Sequence, residues 1–359
     1  MGDRQKWLGG NRGWWLVGVL LGLLLVGGCR SLYDWLMPAP TEPWLTPTEL
    51  AVIVNQLDPL SVKIGEYYQQ KRQIPQRNLL SVSFRPDRPE LSPSEFAELQ
   101  QAIAQQMPKS IRALALTWAA PYRVGCMSIT TAFALGFDPA FCAQGCQPTR
   151  LNPYFNSESA QPPETIRPTM AIAATTLAQA QALIDRGVAA DASNPTGTAY
   201  LLRTSDRRRN GRAALYPQIV QQLAARFTIQ TLEQDSLRDR PDVMFYFTGL
   251  PQVEQLQTNR FSPGAIADHL TSLGGMLTDS PQMSSLRWLE AGATGSYGAV
   301  VEPCNFLAKF PHPGLVMYYY LEGNTLIEAY WKSVAWPGQG IFVGEPLARP
   351  FGQLRSRAG

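Results

Sequence analysis

The stretch DVMFYFTG, Asp242 to Gly249, decides how the chain is read. Val243 to Phe247 are all apolar or aromatic, and Thr248-Gly249 ends the run. Such a run is too short for an ordinary helix and lacks the alternation of a strand with one wet face. It therefore reads as a strand buried on both faces, the kind found in parallel sheets covered by helices.

The text on either side has the same grammar. Upstream, AYLLRTSD reads as a strand, YPQIVQQLAARF as a helix with Ile219, Leu223 and Phe227 aligned, and TIQTLE as a strand. Downstream, SPGAIADHLTSL has a Ser262-Pro263 start that predicts a helix, and GGMLTD predicts a strand. SPQMSSLRWLEAG repeats the Ser-Pro start at Ser280-Pro281 and closes at Gly292. YGAVVEP and NTLIEAYWKS add a strand and a helix.

Nearer the start, LAVIVN, LLSVSF, ALALTW and TMAIAATT are strand-like. Between them lie a helix that begins at Pro59, one with a Ser92-Pro93-Glu95 capping box, and LAQAQALIDRG with Gly187 as its expected cap. Alternation of this kind predicts an α/β fold of two adjacent parallel-sheet subdomains, 48–190 and 191–355, divided near Asp191. A Cys- and Pro-rich insertion, 121–167, interrupts the first.

Residues 1–29 carry Arg4, Lys6 and Arg12, then an apolar stretch from Trp14 to Val26, then VGGC. The apolar stretch is short for a spanning helix and suited to a signal peptide. VGGC resembles the bacterial lipobox, which implies lipidation of Cys29. Residues 30–47, with APTEPWLTP, read as a membrane-proximal linker. The expectation is an extracytoplasmic protein whose partner is the membrane, reached through lipid or an uncleaved anchor. Cys126, Cys142, Cys146 and Cys304 are then disulfide candidates. Cys142 with Cys146 would leave Cys126 for Cys304, and Cys126 with Cys142 or Cys146 is the alternative.

A net charge of +3 is too small to imply nucleic acid, and RTSDRRRNGR lacks interleaved aromatics, so it reads as a solvated loop. No cofactor is expected. No metal is expected either: CAQGC has metal-like spacing, but no histidine accompanies it.

Ligands of open parallel sheets bind beyond the carboxyl ends of strands. In the second half those ends carry Asp206, Thr248, Asp279 and Glu302, with Cys304 two residues further. A cation or polar ligand could meet Asp206, Asp279 and Glu302. Cys304 could be a nucleophile served by His269 or His312, the chain's two histidines. Asp268 and His269, as neighbours on a predicted helix, point about 100° apart and cannot orient one another. His312, between Pro311 and Pro313, reads as a structural group.

The order of elements from Leu50 to Phe351 resembles gingipain-like cysteine peptidases. SVKIGEYYQQKRQIPQRNL resembles their early tyrosine-rich helix, and MAIAATTLAQAQALIDRG falls where their caspase-like subdomain begins. GATGSYGAVVEP resembles their Gly-Ala strand. EGNTLIEAYWKS and GIFVGEPLARPF resemble their closing helix and strand, with Glu345 in place of aspartate. Other segments look closer to an uncharacterised family of bacterial exported proteins. The peptidase resemblance implies a histidine after DVMFYFTG, where Leu250 stands, and a cysteine at the end of GGMLTD, where there is none. Without thiolate or imidazole there, the inherited chemistry is lost. The expected function is a non-catalytic binding or structural protein. The alternatives are a hydrolase using Cys304, and a ligand site at the three carboxylates.

Overall fold

The computed structural model describes residues 45–142 and 146–352. Cys29, the apolar stretch before it and most of the linker lie outside the described residues. Among the described residues, no helix is long and apolar enough to cross a membrane.

In chain order the first half contains β1 (Leu50–Asn55), α1 (Pro59–Arg72), β2 (Leu79–Val82), β3 (Glu90–Leu91), α2 (Pro93–Gln106) and β4 (Ala113–Leu116). Then come β5 (Arg123–Val124), β6 (Met127–Ser128), α3 (Ile129–Leu135), β7 (Thr169–Ala171) and α4 (Leu177–Ala190). The second half contains β8 (Thr198–Arg203), α5 (Tyr216–Leu223), β9 (Thr228–Glu233), β10 (Val243–Thr248) and β11 (Phe261–His269). It ends with α6 (Leu286–Ala291), β12 (Gly295–Ala299), α7 (Pro313–Leu321), α8 (Leu326–Ser333) and β13 (Gly340–Gly344).

The two expected sheets are one. Ten strands run in the order β2-β1-β4-β7-β13-β12-β11-β10-β8-β9, and β3-β5-β6 form a small second sheet. The described residues after Glu42 belong to a single compact unit. What joins the halves is β13, parallel to β7 through Val343 and Ala171, and antiparallel to β12 from Gly295–Gly344 to Ala299–Gly340. All other pairings in the large sheet are parallel. The two halves therefore run in opposite directions, and the strand ends at Asn55 and Trp118 lie at the opposite edge from those at Asp206 and Glu302.

β10 shows why the sheet is covered on both faces. Its six residues are all buried. Phe245 meets Phe227 and Tyr320 on one face, and Tyr246 meets Trp288 edge-on at 4.9 Å on the other.

Two predicted elements change type. Ser262-Pro263 does not start a helix, because Ala265 to His269 are all buried as a central strand between β10 and β12. Gly264, at φ +86°, takes up the register shift against β10. The predicted strand GGMLTD is a turn. A Cβ on Gly275 would lie 2.4 Å from the carbonyl oxygen of Gly298, so this backbone packs directly on β12. Gly187 does not cap α4, which runs on to Ala190.

Candidate functional site

A cleft of about 280 Å³ opens at the carboxyl edge of the second half. Arg208 and Arg209 come to it from the loop after β8, Leu270 to Ser272 from the end of β11, and Glu302 to Asn305 from the end of β12. The topology alone places loops there, since the parallel strands β8, β11 and β12 all end at this edge.

The arginine side is braced by a chain of hydrogen bonds. Asp206 Oδ1 accepts from the backbone N–H groups of Arg208 and Arg209 at 3.0 and 3.1 Å. Its Oδ2 pairs with Arg209 Nη1 at 2.6 Å. Partial burial pushes the Asp206 carboxyl up, but the bonds from Arg209 outweigh this and hold it below the usual range. Arg209 Nε donates to Thr271 Oγ1 at 3.2 Å, and Thr271 donates to Gln282 Oε1 at 2.8 Å. Arg209 is thus held in place, and Arg208 makes no ion pair among the described residues.

The facing wall is the Glu302–Asn305 turn. Glu302 Oε1 accepts the N–H of Cys304 at 2.8 Å. Cys304 and Asn305 both sit in the left-handed region, at φ 57° and 54°, which non-glycine residues adopt rarely. Two ties fix them there. Asn305 Nδ2 donates to the carbonyl of Arg208 at 2.9 Å, and Cys304 is disulfide-bonded to Cys146. The other disulfide joins Cys126 to Cys142. The favoured pairing, Cys142 with Cys146 and Cys126 with Cys304, is thereby replaced. The insertion folds back so that Cys146 meets the β12 turn with Cα atoms 5.4 Å apart.

Neither histidine meets Cys304. His269 is 1% exposed and faces Trp288. Its Nδ1 accepts from Trp288 Nε1 at 2.9 Å, and Nε2 donates to the carbonyl of Met283 at 3.1 Å. Burial pushes its pKa down to about 3, so the ring is neutral and committed to packing. Asp268 points to the opposite face of β11 and pairs with Arg212, both side chains 2% exposed. So the basic run from Arg203 to Arg212 is not wholly solvated: its last member is buried. His312 caps α7, its Nδ1 accepting from the N–H of Leu315 at 3.2 Å, and burial lowers its pKa as well. The thiolate–imidazole pair considered for Cys304 is not formed.

The three carboxylates do not converge. Asp206 is taken by Arg209, Asp279 Oδ1 accepts from Tyr122 at 2.7 Å, and only Glu302 lines the cleft. Among the described residues, no group of three His, Cys, Asp or Glu side chains could hold a metal ion.

Sequence reasoning passed over Arg208, Arg209, Thr271 and Asn305, and also Lys309 and Gln339 behind the Glu302 wall. Gln339 Nε2 donates to the carbonyl of Glu302 at 2.9 Å. Lys309 is 2% exposed, and burial pushes its pKa down to about 8 against the opposing pull of Glu302. The one signal available was position: an arginine pair just past a strand end.

No protein-family model matches the chain. No curated protein matches it either. Among solved structures, the chain resembles the complex of Porphyromonas gingivalis RgpB pro- and mature domains. The identity is 11%, over 84% of this chain and 79% of that one, with a TM-score of 0.46. It also resembles a chain described as "Structure of Protease", at 11% identity over 85% and 79%, with a TM-score of 0.43.

Proposed function

We propose that this protein is a non-catalytic binding protein on a caspase-like scaffold, tethered outside the cytoplasm by a lipid on Cys29, and that it takes a small polar ligand in the cleft between Arg208 and Glu302. The observation that carries this is the state of Cys304. The sulfur beside the cleft is already bonded to Cys146, and both imidazoles are engaged elsewhere. A nucleophile needs a free thiolate and a base within reach. What the cleft offers instead is binding chemistry: a guanidinium, a carboxylate, the Thr271 hydroxyl and the Asn305 amide. The caspase-like reading rests on the motifs between Leu50 and Phe351.

The test uses the full chain purified in detergent without reductant. A thiol-directed probe should leave Cys304 unlabelled, and arginyl, lysyl and aspartyl peptide substrates should not be cleaved. A screen of small polar compounds should raise the melting temperature of wild type and not of Arg208→Ala. Cleavage that is lost in Cys304→Ala and in His269→Gln, with both variants still folded, would overturn the proposal.

A further inference from the structure

Lys309 stands in the turn between β12 and α7, one residue before Phe310, which lines the cleft. Its Nζ is buried and has no hydrogen-bond partner. Among the described residues Lys309 makes no ion pair, and the ring of Phe306 lies 5.0 Å from its Nζ. Among the described residues, Glu302 is the one carboxylate whose charge reaches it, and Glu302 lines the cleft. An ammonium in such a place is strongly disfavoured unless something pairs with it. Packing does not require it, because methionine would fill the same volume without a polar atom. Nor is the amine held aside as a hydrogen-bond donor to the protein. A second orphan meets Glu302: Gln339, 3% exposed, bonds the carbonyl of Glu302 through Nε2 while its Oε1 has no partner. The wall that carries Glu302 is thus backed by one unpaired donor and one unpaired acceptor.

We infer that Lys309 is the anion-binding group of the cleft: an oxyanion, carboxylate or phosphate, is held between Arg208 and the ammonium of Lys309, and a hydroxyl of the same ligand reaches Gln339 Oε1. This rests on the cleft being a binding site. The four-carbon stem lets the ammonium swing from Phe306 to the cleft side of Glu302. A charge left unpaired in the empty protein is then paired on binding, so the ligand relieves a cost that folding leaves in place. The lowered pKa agrees with this and sets the working range, because the amine is mostly protonated at neutral pH and loses its charge above pH about 8.

Inorganic phosphate and acetate serve as probes, each titrated against the full chain at constant ionic strength while the melting temperature is followed. Wild type should be stabilised at pH 7, and the effect should fade by pH 9. Lys309→Met should melt higher than wild type in the absence of anion and bind at least tenfold more weakly. A merely structural lysine would give the opposite, a variant that melts lower. Response to phosphate alone assigns a phosphoryl ligand, and response to acetate assigns a carboxylate. If Lys309→Met binds the anion as wild type does while Arg208→Ala does not, the inference fails and the cleft reading stands. No stabilisation of wild type by either anion also overturns the inference, and the neutral compounds of the polar screen then decide the cleft.

Discussion

The carboxylate of Glu345 occupies the space in which a side chain at position 187 would stand: a Cβ on Gly187 would lie 2.5 Å from Glu345 Oε2. Glu345 in turn accepts from Tyr68 at 2.5 Å and from Arg72 Nε at 3.0 Å, and pairs with Arg72 again through Nη2. Arg72 also pairs with Asp191, whose Oδ1 takes the N–H of Arg349 at 3.0 Å. Residues from α1, α4 and the turn after β13 thus meet in one buried ionic cluster.

Two substitutions should expose what that cluster does. Glu345→Gln leaves Arg72 buried with half its charge compensation gone, and should cost about 3–5 kcal/mol. Gly187→Ala changes no charge yet displaces the carboxylate, and should cost a comparable amount. Denaturant unfolding at pH 7 measures both. A loss under about 1 kcal/mol for Glu345→Gln would show that Arg72 finds another partner.

His269 sets an acid limit. Its ring is neutral in the folded protein, with a pKa near 3, against an ordinary value of 6.5. The unfolded chain therefore binds a proton that the folded chain refuses. The stabilising contribution is complete above pH 6.5 and falls below it, by up to about 1.4 kcal/mol per pH unit, until the folded ring itself protonates. Between pH 6.5 and 4.5, stability should fall less steeply in His269→Gln than in wild type. Equal slopes would place the acid sensitivity in the carboxylates.

Non-reduced peptide maps should show Cys126 joined to Cys142 and Cys146 joined to Cys304. Cys304→Ser opens a loop spanning 158 residues and should lower stability by about 2–5 kcal/mol. It should also loosen the left-handed turn at Cys304 and Asn305, seen as faster amide exchange there than in the β12 strand. Four free thiols in the native protein would refute the pairing.

The anchor proposal predicts that Cys29→Ser leaves a full-length precursor that takes up no labelled fatty acid. Equal labelling of wild type and variant would remove Cys29 as the lipid site.

Local chemistry was legible where one signal had one meaning. The Ser92-Pro93-Glu95 box caps α2 as read, and Val243 to Thr248 form a strand buried throughout. Ser262-Pro263 had two meanings. The pair also begins strands at a bulge, and only the burial of Ala265 to His269 on both faces decides between them. The opposed direction of the halves could not be read at all. GIFVG is short and glycine-flanked, and nothing local says that its neighbours are β7 and β12. At the site, the strand-end rule led to Glu302, which does line the cleft. Lys309 and Gln339 escaped because their interest lies in the hydrogen bonds they lack, and only tertiary packing reveals that.

Among the described residues, the strand that closes the large sheet is the last of thirteen in chain order. Until Gly340 to Gly344 has been synthesised, β7 and β12 each present an open edge, and no strand pairing joins the two halves of the sheet. A ribosome-bound chain that has not yet reached β13 therefore holds two unfinished sheets. A product truncated before β13 would keep both edges exposed and prone to pair with other chains. The position of one five-residue strand makes completion of the fold wait for a segment that follows both halves in the chain, and makes an intact β13 a condition for solubility.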